Sequence, residues 1–393
     1  VTNEIGMTET LMKTLALLAC IFLGACGSIP RIPVEGEFFG EPVKTTVDSE
    51  IARYYLENYL AENNDNTEMA KKISALYSQN KQSIPSREEL RIISHKYSVD
   101  FAALFLADRL LNYKCNVEIN RAFSRHLNTE TTVNADIASY RVLFVPGWDY
   151  VETGYFTGSD FARPRELADE FGLENYFINL PPTGGVEENA AVLAADIARH
   201  MLSNKKIILV GASSAGPAIH LALSNRFSER KHGDIAAWLN LGGILQGSPI
   251  VDHYQTWYRH WLLTLATWHK GWDKEAILSM GTKQSRKRYA RLQIDPDILV
   301  INYIGIPLSG QISRYSGENY PILRSEGPND GLTLLTDAIA PNSLTIVAMG
   351  SDHFFAEDPR IDQKTVALMK LLVTYLEKGL ERNCSGFASQ EAR

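Results

Sequence analysis

Cysteine is scarce in this chain, and so are long apolar runs and any surplus of positive charge. Four cysteines, at positions 20, 26, 115 and 384, are spread over 393 residues, too few for a scaffold built on disulfides. Lysine and arginine number 39 against 46 acidic residues, a net charge of −7. No basic excess is therefore available for a nucleic-acid backbone. A glycine-rich phosphate loop is missing, since Gly184-Gly185 follows Pro181-Pro182 and reads as a turn. Histidine and carboxylate do not cluster as metal ligands do. His253 and His260 lie near Asp252 without a tight ligand set, and His269 stands alone, so no metal and no cofactor is expected. There is no internal repeat and no low-complexity tract. What is present is a 45% apolar share, enough over this length to bury a large core.

The longest apolar stretch near the start, Thr14 to Gly24, is too short to span a bilayer. It follows Met12-Lys13 and ends in Leu23-Gly24-Ala25-Cys26. A short basic segment, an apolar segment and small residues before a cysteine resemble a bacterial lipoprotein signal with its lipobox. That resemblance implies a signal over 1–26, a lipid anchor on Cys26 and Met12 as initiator. Gly27 and Ser28 are not aspartate, which points to the outer membrane, facing the periplasm. Once Cys20 leaves with the signal, Cys115 and Cys384 remain. They are either a disulfide or two free buried thiols, because sequence does not show proximity.

Residues 27–47 carry Gly27, Pro30, Pro33, Gly36, Gly40 and Pro42 and read as an extended tether. Residues 48–138 read as a helical extension. Asp48 can cap a helix with Ile51, Tyr55, Leu56, Tyr59 and Leu60 on one face, and Ser86 with Glu89 fits a capping box. The run Phe101–Leu111 is apolar on most sides and expected to be buried. From residue 139 to 383 short apolar runs alternate with amphipathic ones. Expected strands are Arg141–Pro146, Tyr176–Leu180, Lys206–Ala212, Ala237–Gly242, Ile298–Ile304 and Leu344–Met349. Such alternation implies an α/β fold with a largely parallel sheet and ligand-binding loops at the carboxyl ends of its strands. Residues 252–296 break the pattern with Tyr254, Trp257, Tyr258, Trp261, Trp268 and Trp272 and read as a helical cap. Its Arg286-Lys287-Arg288 patch is either a solvated helix face or a contact for anionic headgroups. Residues 384–393 form a tail.

One turn carries a chemical signature. Lys206 to Gly216 runs from an apolar strand into Gly211-Ala212-Ser213-Ser214-Ala215-Gly216 and then a helix. A serine exposed on a sharp strand-to-helix bend needs small neighbours, and it gains the positive end of the following helix. These residues resemble the nucleophile elbow, Gly-x-Ser-x-Gly, of the α/β-hydrolase family. Ala215 departs from the usual glycine. Ser213 is the preferred nucleophile because Gly211 closes the strand, with Ser214 the alternative register.

The resemblance implies more. In that family the acid and then the histidine follow the serine. Gly327-Pro328-Asn329-Asp330-Gly331 resembles the acid loop and offers Asp330, with Asp337, Glu326 and Asp352 as rivals. His353, in Gly350-Ser351-Asp352-His353, is the only histidine beyond residue 269. The oxyanion donors implied are the N–H groups of Ser214 and of Trp148, the latter in Pro146-Gly147-Trp148-Asp149. The expected activity is acyl transfer from an ester to water. A lipase or esterase role is suggested by Gly247-Ser248-Pro249, which resembles a lipase segment. The cap aromatics could line an acyl pocket, touch lipid, or simply pack. The same triad would also serve an acyltransferase or amidase, and an inactive lipid-anchored binding protein is the alternative outside enzymes.

Overall fold

Near-continuous apolar runs, buried on both faces, build the inner strands of the central sheet. The computed structural model describes residues 28–61, 67–79, 83–129, 136–201, 204–225, 234–355 and 357–378. The signal, Cys26 and Cys384 lie outside them. Strands β3 (Tyr140–Val145), β4 (Glu174–Phe177), β5 (Lys206–Ala212), β6 (Ile235–Leu241), β7 (Leu299–Ile306) and β8 (Leu344–Met349) pair in the order β4-β3-β5-β6-β7-β8. Every neighbouring pair is parallel. Val142, Phe144, Ile208 and Val210 point into one core, while Leu143, Val145, Ile207 and Leu209 point into another.

Helices cover both faces, as a parallel sheet requires. The first core is covered by α5 (Lys114–Asn128), α7 (Ala162–Glu170) and α15 (Ile361–Lys378), the second by α8 (Val186–His200) and α9 (Ala215–Asn225). A short helix, α6 (Tyr150–Thr157), follows β3. Between β6 and β7 stand α10 (Pro249–Gln255), α11 (His260–Lys270), α12 (Lys274–Leu278) and α13 (Thr282–Tyr289). One more short helix, α14 (Tyr320–Leu323), precedes the loop that holds Asp330.

Two local expectations are corrected. The segment expected as a tether over 27–47 is an antiparallel hairpin of β1 (Ile32–Phe38) and β2 (Glu41–Val47). Val34, Phe38, Val43 and Val47 alternate into the core. Phe39 and Gly40 supply the two positive φ values (52° and 82°) of a two-residue hairpin turn. The glycines and prolines there shape a hairpin rather than loosen the chain: a Cβ on Gly36 would lie 3.1 Å from the Leu56 carbonyl oxygen. Asp48 is not the cap of α1 (Glu50–Tyr54), which continues as a π turn to Tyr59. Ser49 is, accepting from the Ala52 N–H at 3.2 Å. The Asp48 carboxylate instead accepts from the Val99 N–H and from Arg324. Burial and these donors, with the Asp100 N–H as a third at 3.3 Å, draw it inward, leaving the nearer hydroxyl to cap.

Helices α2 (Glu68–Gln79), α3 (Arg87–Lys96) and α4 (Val99–Leu111) complete this N-terminal layer. Ser86 and Glu89 form the capping box of α3. Cys115, at the start of α5, is disulfide-bonded. From Val99 to Asp108 α4 is buried at every position, packed between the hairpin and the β7 side chains Ile304 and Ile306. The edge strand β8 is also served from this side. On α5, Asn116 Oδ1 accepts the Thr345 N–H at 2.9 Å. One turn on, Asn120 donates to the Thr345 carbonyl at 2.8 Å and accepts from the Val347 N–H at 3.2 Å.

Such all-round burial makes α4 sensitive to truncation. Phe105→Ala is expected to cost about 3–5 kcal/mol in urea unfolding. Ile92→Ala on α3, where the side chain is 54% exposed, should stay within about 0.5 kcal/mol. Equal effects would show that α4 is peripheral to folding.

Candidate active site

The chain passes from β3 to β4 on one side of the sheet and then to β5 on the other. The loops after β3 and β5 therefore diverge and open a crevice at the carboxyl ends of the strands. Ser213 sits there, directly after β5, with φ of 54°. A side chain in the left-handed region is strained, so its surroundings must hold it. The Ser213 carbonyl accepts from the N–H groups of Gly216 and Ile244, each at 3.1 Å. Close packing explains the small neighbours. A Cβ on Gly211 would lie 2.2 Å from Ile219 Cδ1, and one on Gly216 would lie 2.9 Å from Gly243 Cα.

Asp330 and His353 come from the loops that follow β7 and β8. Asp330 is buried, and its Oδ1 accepts from the N–H groups of Leu332 (2.9 Å) and Thr333 (2.8 Å). This leaves Oδ2 for the His353 Nδ1 at 2.8 Å, while His353 Nε2 lies 2.9 Å from Ser213 Oγ. The two loops are locked further by the His353 N–H, which donates to the Asp330 carbonyl at 2.9 Å. Burial alone would hold the imidazole in its neutral form. The Asp330 carboxylate, by charge and by hydrogen bond, outweighs that and raises the His353 pKa above its ordinary 6.5, with Asp352 adding to the effect.

The other candidates fall elsewhere. Ser214 is buried beside the turn without touching His353; the imidazole meets Ser213. Glu326 is exposed. Asp337 is fully buried between Arg87 (2.7 Å) and Arg286 (3.1 Å). Asp352 accepts from the Ser313 and Phe354 N–H groups and so shapes the loop that presents His353. In the basic patch, Arg286 is turned to Asp337 and Arg288 to Glu187. Gly247 and Ser248 brace the acid loop: the Gly247 carbonyl accepts from the Thr333 hydroxyl, and the Ser248 hydroxyl donates to the Leu332 carbonyl.

Two backbone donors flank the serine. The N–H groups of Trp148 and Ser214 meet no acceptor among the described residues, whereas those of Gly147 and Asp149 are bonded to Ser159 and Pro182. A pocket of ≈ 550 Å³ opens over Ser213 and His353. Trp148 and Trp272 form part of its wall, edge to face at 6.0 Å. Trp257, Trp261 and Trp268 of the cap stay exposed. Among the described residues six other than glycine have a positive φ, and four of them, Asp149, Phe161, Ser213 and Phe355, line this pocket. Strain concentrated there marks a built site.

Among solved structures, the chain is similar to a metagenomic carboxyl esterase at 18% identity and a TM-score of 0.52, over 64% of this chain and 80% of that one. Together with the parallel six-stranded sheet, this decides the fold. The chain has the α/β-hydrolase fold. Two lipases are also similar. That of Bacillus licheniformis in its mature form shows 22% identity and a TM-score of 0.49, over 62% of this chain and 96% of that one. That of Staphylococcus hyicus shows 13% and 0.45, over 65% and 98%. No protein-family model and no curated protein sequence matches the chain.

On this α/β-hydrolase fold the sequence reading missed one whole wall of the pocket. Phe161 and Pro164 at the start of α7, with Ile361, Thr365 and Leu368 of α15, line the same pocket as Ser213 and lie outside the cap. No local motif marks them, because helices distant in sequence supply them. The ion pair between His353 and Asp330 has a testable sign. Asp330→Asn should move the His353 titration, followed by NMR, down towards or below 6.5, since burial then acts with less opposition. An unchanged titration would show that Asp330 does not set the charge of the ring.

Proposed function

We propose that the protein hydrolyses carboxylic esters, with Ser213 as nucleophile, His353 as general base and Asp330 as the acid that orients it. One observation carries the reading: the unbroken hydrogen-bonded line Asp330–His353–Ser213 ends, through His353 and Ser213, in the wall of a pocket large enough for an organic ester. In the first step Ser213 Oγ attacks the ester carbonyl carbon, and its proton passes to His353 Nε2. Asp330 keeps Nδ1 protonated and stabilises the imidazolium. The N–H groups of Trp148 and Ser214 receive the developing oxyanion. Collapse of the tetrahedral intermediate expels the alcohol, which takes the proton from Nε2. Water then attacks the acyl-enzyme with the same histidine as base, releasing the carboxylic acid and restoring Ser213.

A fluorophosphonate probe on the full chain in detergent is expected to label Ser213. Ser213→Ala should lower kcat on a short ester by about 10⁴–10⁶-fold, and Ser214→Ala far less. Label on Ser214, or full turnover by Ser213→Ala, would remove Ser213 from the mechanism.

The Leu23-Gly24-Ala25-Cys26 sequence supports a second part of the reading: a lipid-anchored protein of the bacterial envelope, at the outer membrane, whose ester substrates include lipids. The exposed Trp257, Trp261 and Trp268 suit a surface held close to lipid. Radiolabelled palmitate fed to expressing cells should enter the wild-type protein and not Cys26→Ser. Equal incorporation, or none in either, would contradict the anchor.

A further inference from the structure

Besides the cap, the pocket over Ser213 is walled by residues of α7 and α15. Phe161, Pro164, Leu241, Thr365 and Leu368 line it and also line a second cavity of ≈ 60 Å³ between the sheet and α15. Thr365 is the only polar residue around that second cavity, and no charged side chain reaches it. Its far wall includes Val210 and Leu239 of the sheet and Met369 and Leu372 of α15. At roughly 10–15 Å³ per water-sized sphere there is space for several, but an apolar cavity of this kind stays dry. Its lining therefore lacks contacts that a hydrocarbon chain would restore.

Two parts of the pocket wall differ in kind. Trp148 and Trp272 present aromatic faces next to the cap, with Asp149 in the same wall. Helices α7 and α15 add Pro164, Ile361, Thr365 and Leu368, and the Arg163–Asp362 ion pair, at 3.0 Å, ties these two helices together. Phe161 stands at the shared wall in a left-handed backbone conformation (φ 53°). Its ring is thus turned inward against Phe144 of β3.

We propose that the acyl chain of the substrate lies in this arm, running from Ser213 between α7 and α15 with its end in the sheet cavity. The alcohol portion lies towards Trp148 and Trp272. The substrate class is then esters of long, unbranched fatty acids. The inference rests on the ester-hydrolase reading and adds to it a direction and a length. Each methylene that enters the arm gains about fourfold in transition-state binding, until the cavity is full.

The test is a series of p-nitrophenyl esters from acetyl to tetradecanoyl, assayed below their aggregation limits on the full chain. The expected result is a kcat/KM that rises with chain length over several methylenes. Leu372→Phe, which fills the far end, should lower the dodecanoyl-to-butanoyl ratio of kcat/KM at least tenfold. Leu372→Ala, which enlarges it and keeps the result readable if the larger side chain disturbs folding, should move the optimum to longer chains. Butanoyl turnover with a flat profile, unmoved in both variants, would overturn the acyl arm and leave the ester-hydrolase reading standing. No turnover of any ester, together with no fluorophosphonate label on Ser213, would overturn both.

Discussion

At Ser213 the backbone turns into the left-handed region within one residue of leaving β5, and the site depends on that bend being kept. A side chain placed there without support would relax and withdraw its hydroxyl. Support comes from close packing: Gly211 and Gly216 leave no room for a side chain against Ile219 and Gly243. It comes also from the two N–H groups that converge on the Ser213 carbonyl. The cost of a left-handed residue, about 1–3 kcal/mol, is spread over packing that the core already provides. The same bend puts the hydroxyl at the amino end of α9, where the helix dipole favours negative charge.

Three separate loops meet at this turn, and each is fixed by polar contacts of its own. The acid loop is tied by Ser248 and Thr333 to the segment after β6. The histidine loop is held by Asp352 against Ser313. Beneath them, Asn240 of β6 and Asn302 of β7 sit side by side in register, fully buried. Asn240 donates to Asn302 Oδ1 and to the Ala338 carbonyl, and Asn302 Oδ1 accepts from the Ala340 N–H. The bonds made by the Asn302 amide and by Asn240 Nδ2 fix one arrangement, because losing them would strand further polar groups away from water; Asn240 Oδ1 has no partner among the described residues. A parallel sheet supplies the directions of these loops; the amides and carboxylates supply their positions.

Much of this could be read from the residues alone, for physical reasons that differ by region. The inner strands of the main sheet are buried on both faces, so their apolar runs stand out against polar surroundings. The elbow was legible because strain demands small residues at fixed offsets, and the chain order of Ser213, Asp330 and His353 follows the resemblance. The hairpin at Ile32–Val47 was not. Its one-sided alternation is short, and glycine and proline, common in linkers, hid a two-residue turn at Phe39-Gly40. Asp48 misled because a carboxylate before a helix usually caps it, whereas here Val99 and Arg324 claim it across long sequence separations. The α15 wall of the pocket left no trace, since its residues serve the core and the pocket with the same apolar side chains.

The two asparagines of α5 have a consequence beyond local packing. An outermost strand normally displays a row of unpaired amide and carbonyl groups, which is a template for any extended chain that comes near. Asn116 and Asn120 occupy that row on β8 with side-chain amides, which imitate a further strand without being one. Helix α5, which precedes β3 in the chain and packs on the first core, thus covers part of the β8 edge that another strand would pair with. A shortened chain beginning at β3 would retain Ser213, Asp330 and His353, yet without Asn116 and Asn120 it would present β8 as a bare edge open to another strand.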